Sequence, residues 1–324
     1  MEGRTLGNTG LAVSALGFGC GSIGGLLVRG EAAEQRAAVA AALESGVTYF
    51  DTAPSYGDGR SEETLGRVLR ELGETPLVGT KFQLRADESD FAGAIERSLQ
   101  SSLRRLGRDS VDLFQLHTRV GADLGAGMLP ADTVIGPVAA ALEALKTAGR
   151  VRAFGFTGLG EPASLARVAE SGRFDTMQAY VNVINPSAAH VGTASANEVD
   201  FGGLIGRAAG AGLGVLAIRV LAAGAVAGAS RHPIAGSTGQ PLAGGGAAYE
   251  DDVRRASRLA ALSTELGLEG TVELALRFAI GIPGVSTALV GFSDAAQVRD
   301  ALRFAAHGSL PADAVRLVLT DAEA

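Results

Sequence analysis

Four polar side chains fall at or just past the ends of short apolar runs. Asp51 follows Val-Thr-Tyr-Phe, Tyr56 comes five residues on, Lys81 closes Leu-Val-Gly-Thr and His117 closes Leu-Phe-Gln-Leu. An acid, a phenol, an ammonium and an imidazole suit hydride addition to a carbonyl. As hydride reaches carbon an alkoxide develops on oxygen, so a positioned acid must supply a proton and donors must steady the charge. Tyrosine can be that acid, although its ordinary pKa of about 10 is high for neutral pH. A neighbouring ammonium favours the phenolate, the part read for Lys81. Asp51 then holds that ammonium charged, and His117 donates to the carbonyl oxygen or shares its proton traffic. No metal is required, and His117, His190, His232 and His307 form no HxH or HExxH pair.

Each residue also has an ordinary alternative: Asp51 a helix cap, Tyr56 a loop aromatic, Lys81 a solvent charge, His117 a half-buried surface histidine. What sets the group apart is joint placement at strand exits, which a barrel gathers onto one rim. Lysine is also rare here. Of 28 basic residues only Lys81 and Lys146 are lysine, and a compact ammonium fits where an arginine fork does not.

The elements that must position these residues read as an α/β chain. Strand-like runs lie at Leu16–Gly19, Tyr49–Phe50 with its flanks, Pro76–Lys81, Val111–Gln115, Val151–Phe156, Thr176–Tyr180, Gly214–Ile218 and Thr287–Val290. Helical patterns fall between them near 32–45, 61–71, 89–106, 134–148, 162–170, 199–211, 250–267, 271–280 and 294–306. Eight strands with intervening helices predict a (β/α)8 TIM barrel, and residues 4 to 16 around Asn8-Thr9-Gly10 predict an N-terminal β-hairpin that caps one end. Residues 219–250 break the rhythm with Gly and Ala and little periodicity. A loop of that length after the seventh strand suggests an active-site lid, with a disordered insertion without a role as the other reading.

The chain has 324 residues, enough for one large domain over 1–324. Acids exceed bases 35 to 28, which argues against a nucleic-acid footprint. One cysteine, Cys20, excludes an internal disulfide. The N-terminal residues lack a signal-peptide pattern, and charges or glycines interrupt the apolar runs. A cytoplasmic protein that does not enter membranes is the expectation.

The runs FDTAPSYGDGRSEETLG at 50–66, GTK at 79–81 and LFQLH at 113–117 resemble the aldo-keto reductase superfamily. So do RTLGNTGLAVSALGFG at 4–19, QAYVNVINPS at 178–187 and VGFSDAAQVRDAL at 290–302, so the resemblance covers nearly the whole chain. It implies a (β/α)8 barrel with an N-terminal hairpin that binds NADPH or NADH in extended form without a Rossmann glycine fingerprint. The family's aspartate, tyrosine, lysine and histidine map onto Asp51, Tyr56, Lys81 and His117, all present.

On the cofactor side the match is looser. The family's carboxamide-binding Ser-Asn pair stands here as Thr157-Gly158, while its glutamine on the next strand is kept as Gln178. Where an aromatic ring commonly stacks on nicotinamide, this chain has Ile218, followed by Arg219, which could approach the pyrophosphate. The resemblance also implies cofactor contacts at Gly19, Cys20, Gly21 and Asp51, and at Leu221 and Gly224. The adenosine end maps onto Gly291, Ser293 and Gln297, with Asp300-Ala301 where an acid followed by asparagine is common. Ser293 and Asp294 bring no positive charge for a 2′-phosphate, so either nucleotide is expected, with at most a weak preference for NADPH.

Three other readings stay open. The same residues run in reverse would make an aldose or alcohol dehydrogenase. Glycine-rich GFTGLG and LVGFS could cradle phosphate in a lyase or isomerase. The resemblance also includes auxiliary subunits of ion channels, which would bind nucleotide without turnover. The expected pocket, Gly21–Leu27, residues after Tyr56, 118–132 and 219–250, is mostly Gly, Ala, Leu and Val. That suits a small or moderately apolar carbonyl compound, with Arg119, Arg231 and His232 available to a polar one such as a sugar.

Overall fold

The computed structural model describes residues 1–194, 198–228, 230–236 and 249–323. An antiparallel hairpin comes first, β1 (Gly3–Thr5) and β2 (Ala12–Ser14). Eight parallel strands follow and close on themselves: β3 (Leu16–Gly19), β4 (Tyr49–Asp51), β5 (Leu77–Phe82), β6 (Val111–Leu116), β7 (Val151–Gly158), β8 (Thr176–Tyr180), β9 (Gly214–Ile218) and β10 (Val285–Gly291). Each pairs with the next. β10 returns to pair with β3, from Ala288 opposite Leu16 to Gly291 opposite Gly19. The architecture is the expected (β/α)8 barrel with its hairpin.

Strands buried on both faces carry continuous apolar runs, and every residue of β6 is buried. The surrounding helices bury one stripe. Phe91–Leu106 turns Ile95, Leu99 and Leu103 inward, four residues apart, and starts where Asp90 accepts a 2.9 Å bond from Gly93 N. At the amino ends of the strands, Leu6, Leu11 and Val13 of the hairpin region pack on Tyr49, Leu113, Ala153, Leu216 and Leu289. Asn8 N bonds Gly212 O at 3.0 Å beside them. This plug shuts one mouth, so only the carboxyl ends of the strands are open.

Several boundaries differ from the expectation. The helix read at 134–148 begins at Ala131 and contains a π-helical turn over Val134–Val138, where Pro137 has no N–H to give the α ladder. The helix read at 199–211 spans Leu204–Gly210. Ahead of it Ser187 Oγ accepts from Phe201 N at 3.1 Å and Asp200 from Gly202 N at 2.8 Å, so the backbone bonds side chains instead of a helix. A short turn at Leu26–Arg29 and a helix at Ala312–Glu323 had no counterpart in the sequence reading.

The supposed loop 219–250 opens with a packed helical turn, Ala222–Ala227, whose Ala222, Ala225 and Val226 are buried. Thr271 Oγ1 holds Val226 O there at 2.6 Å. Residues 230–236 reach the loop after β3, where Gly236 N bonds Ile23 O at 2.8 Å. Residue 229 and residues 237–248, 13 of the 32 positions of the proposed lid, lie outside the described residues. Among the described residues no helix is long and apolar enough to cross a membrane.

Candidate active site

Strand geometry places Asp51 and Lys81 side by side, since β4 pairs β5 in parallel with Asp51 opposite Gly79. Lys81 is fully buried and its ammonium has three N–H donors. All three are used: one on the Asp51 carboxylate, one on Thr52 O at 2.9 Å and one on the Tyr56 phenol oxygen at 3.2 Å. Burial works against the Lys81 charge, but Asp51 and Tyr56 more than offset it and hold its pKa above the ordinary lysine value. The ammonium therefore stays charged.

Asp51 is held from below as well. Tyr49, two residues earlier and so on the same face of β4, donates to Asp51 Oδ2 at 3.1 Å, and Gln178 Nε2 donates at 2.7 Å. Gln115 Nε2 reaches the same oxygen at 3.5 Å. Gly79 permits this arrangement, because a Cβ there would sit 2.0 Å from the Tyr49 oxygen. Burial, then Asp51, push the Tyr49 phenol well up in pKa, so it remains a donor.

Above this network the barrel opens into a cavity of about 990 Å³, at the upper end for small-molecule sites. Tyr56 and His117 stand in its wall, ring centroids 6.0 Å apart and edge to face. Burial first, then Lys81 and Arg219, push the His117 pKa down to about 3, so its imidazole is neutral and offers one N–H. The Tyr56 oxygen accepts from Lys81, which can only donate. Among the described residues nothing accepts the Tyr56 proton in return.

Gly19, Gly21, Asp51, Thr157, Gln178, Ile218, Arg219, Leu221, Gly224, Gly291, Ser293 and Gln297 also line the cavity. Cys20 and Gly158 do not. Cys20 is buried behind the wall, where burial, then Asp51, push its thiol well up and leave it inert. Thr157 Oγ1 is buried without a partner. The Ser293 hydroxyl turns to Gly24 O at 2.6 Å, and Ser293 N bonds Gln297 Oε1 at 2.9 Å. Gly24 lies so close that a Cβ there would meet Phe292 N at 2.5 Å. Of the polar pocket residues expected, Arg119 and Arg231 line the cavity. His232 instead lies 3.5 Å from Asp294. Among the described residues no cluster of three or more His, Cys, Asp or Glu could hold a metal ion.

The family model of the aldo/keto reductase family matches residues 15–318. The chain belongs to that family. Among curated relatives, L-galactose dehydrogenase of Arabidopsis thaliana is 31% identical over 312 residues, 93% of this chain and 86% of its own. Pyridoxal 4-dehydrogenase of Microbacterium luteolum is 34% identical over 36% of this chain and 43% of its own. The fold is shared with an aldo-keto reductase from Bacillus halodurans in its holo form, with a TM-score of 0.73 at 22% identity over 100% of this chain and 97% of that one. Glycerol dehydrogenase from Gluconobacter oxydans has a TM-score of 0.73 at 23% identity, covering 98% and 94%. Membership makes the chain an oxidoreductase by family.

Sequence reading did not single out Tyr49 or Gln115 as partners of Asp51, or the Thr52 carbonyl as an acceptor for Lys81. For Tyr49 a signal exists: a phenol two positions before a strand-end acid shares its face. The other two depend on contacts between strands distant in sequence.

Proposed function

We propose that this aldo/keto reductase transfers hydride between a nicotinamide dinucleotide and a small carbonyl compound, with Tyr56 as acid. The observation that carries this reading is the Tyr56 hydroxyl in the cavity wall, accepting from Lys81 at 3.2 Å and keeping its own proton for a ligand. When bound, the dinucleotide would supply or accept the hydride. Tyr56 then gives its proton to the carbonyl oxygen, and the phenolate left behind meets an ammonium already in place. Neutral His117 donates a second bond to that oxygen. Asp51 keeps Lys81 charged and fixed, as its four contacts require no rearrangement.

The cavity residues fit such a cofactor. Thr157 Oγ1, buried and unpartnered, suits a carboxamide, as does the Gln178 carbonyl, its amide being committed to Asp51. Ile218 offers one apolar face to a ring. At the far end Gln297, Asp300, Ala301 and Phe304 line the wall without an arginine or lysine among them. That supports use of NADH as well as NADPH, with no strong preference, since a 2′-phosphate gains most from a guanidinium or ammonium.

Separate titrations with NADPH and NADH, then an aldehyde, ketone and aldose panel followed at the nicotinamide absorbance, test the reading. Nucleotide binding with turnover is expected. Binding without turnover across the panel would defeat it and favour an auxiliary, non-catalytic role. Oxidation is the second reading, favoured by the near-full-length relative named L-galactose dehydrogenase. The same residues then act in reverse, Tyr56 receiving the alcohol proton.

A further inference from the structure

We infer that the carbonyl substrate carries an anionic group, a carboxylate or a phosphate, gripped by Arg119 and Arg219 beside Tyr56 and His117. The inference rests on the reading of the cavity as the reaction site.

Both arginines line that cavity. Arg119 Nε and Arg219 Nη1 are buried and have no hydrogen-bond partner among the described residues. A desolvated guanidinium N–H without an acceptor is costly unless a ligand supplies one. The carboxylates of the cavity wall do not supply one. Asp51 is taken by Lys81, Glu273 by Arg277, and Glu269 and Asp300 by Arg303. The residues outside the described set at 195–197, 229 and 237–248 include no Asp or Glu. With the Asp51–Lys81 pair cancelling and His117 neutral, Arg119 and Arg219 bring two positive charges to the cavity wall.

The backbone beneath them is fixed. Arg219 sits at φ 63°, a left-handed conformation that residues other than glycine seldom adopt and that tends to mark functional positions. It is held there by Asn182 Nδ2 and by Ala222 N, which bond its carbonyl at 3.2 and 2.8 Å. Asn182 is itself fully buried and anchored by the N–H groups of Ile184 and Asn185 at 3.0 and 2.9 Å. The Arg119 carbonyl accepts from Leu129 N at 2.9 Å, and the next residue, Val120, bridges to Leu129 and Gly160.

Arg219 is near enough to the reacting groups to be among the charges that hold His117 neutral, after burial and Lys81. Arg231, the other cavity arginine without a carboxylate, bonds the carbonyls of Ala223 and Gly236 and lies over the Tyr249 ring. Standing beyond β9, where barrels commonly hold phosphate, it suits the dinucleotide better than the substrate.

The test compares matched aldehydes: succinic semialdehyde against its methyl ester, and glyceraldehyde 3-phosphate against glyceraldehyde. The charged member of at least one pair is expected to have the higher kcat/KM by roughly ten- to a hundredfold, the range for a hydrogen bond to a charged group. Which pair responds distinguishes carboxylate from phosphate. Arg119→Gln should raise KM for the charged member while leaving the neutral member and nucleotide Kd within about threefold, and Arg219→Gln should raise KM for the charged member more than for the neutral one. Without any variant, succinate should inhibit reduction of the methyl ester competitively and succinamide should not, if carboxylate is the group; inorganic phosphate takes that place if phosphate is.

Equal kcat/KM within both pairs, or variants that weaken nucleotide binding in place of charged-substrate binding, would overturn the inference. No nucleotide binding and no turnover of any aldehyde would instead bring down the reading of the whole site.

Discussion

The floor and the wall of the cavity satisfy their polar groups in opposite ways. On the floor, all three Lys81 donors and both Asp51 oxygens find partners from β4, β5, β6, β8 and the loop after β4. In the wall, Thr157 Oγ1, Arg119 Nε and Arg219 Nη1 are buried with none. A network complete without ligand is rigid before the reaction begins, which suits groups that must not reorganise as charge develops. Groups left open are shaped for something that is not part of the chain. On the proposed reading the floor holds in place the ammonium beneath Tyr56, and the open groups of the wall await a ligand.

Removing the floor's cation is the harshest way to break that contrast. Lys81→Met leaves Asp51 buried without its counter-ion, and the expected loss is about 3–5 kcal/mol of folding stability together with nearly all turnover. Urea unfolding and kcat measured side by side check it. A Lys81→Met protein as stable as wild type would mean the floor is not preorganised by charge. Tyr56→Phe deletes one hydroxyl and keeps the ring, so kcat should fall by about 10² to 10⁴ with nucleotide Kd unchanged. Retention of more than about a tenth of the turnover, with chemistry rate-limiting, would move the acid role, most readily to His117.

A milder effect concerns pH. The folded His117 pKa of about 3 lies below the unfolded value of about 6.5, so between them the unfolded chain holds a proton the native state refuses. Wild-type stability should therefore fall on acidification through that window by up to about 1.4 kcal/mol per pH unit more than that of His117→Gln. Parallel denaturation curves at pH 6.5, 5.5 and 4.5 would settle the difference, and identical slopes would rule out a buried neutral imidazole. The smallest effect belongs to the wall. Thr157→Val removes an unpartnered hydroxyl, so apo stability should hold or rise by about 1 kcal/mol. Nucleotide affinity should drop by about tenfold or less, read by fluorescence titration.

Much of the floor was readable from local pattern. β3, β8 and β9 fall at the residues where apolar runs begin and end, Asp51 closes β4, and Lys81 stands one residue before the end of β5. The wall was less readable, because its defining property is the absence of partners, which no spacing encodes. Arg219 could be named as a cavity residue, yet its left-handed backbone depends on Asn182, 37 positions earlier. Ala222, Ala225 and Val226 looked like loop because small residues in a Gly and Ala run bury themselves without a periodic signal. The Ala312–Glu323 helix lies beyond the last strand, outside the alternation of strand and helix that marks the barrel.

Closure of the barrel between β10 and β3 has a consequence for synthesis. β3 begins at Leu16 and its partner ends at Gly291, so one flank of β3 stays an unpaired parallel edge until almost the entire chain has left the ribosome. At about 5–20 residues per second that wait is on the order of tens of seconds. The loop after β3 is no better placed, since Leu26 N bonds Phe292 O at 3.1 Å and Ser293 bonds Gly24. Nascent chains halted before Val285 should thus remain protease-sensitive along β3 and fail to retain the proposed nucleotide, while emergence of Val285–Gly291 should bring protease resistance and nucleotide retention together.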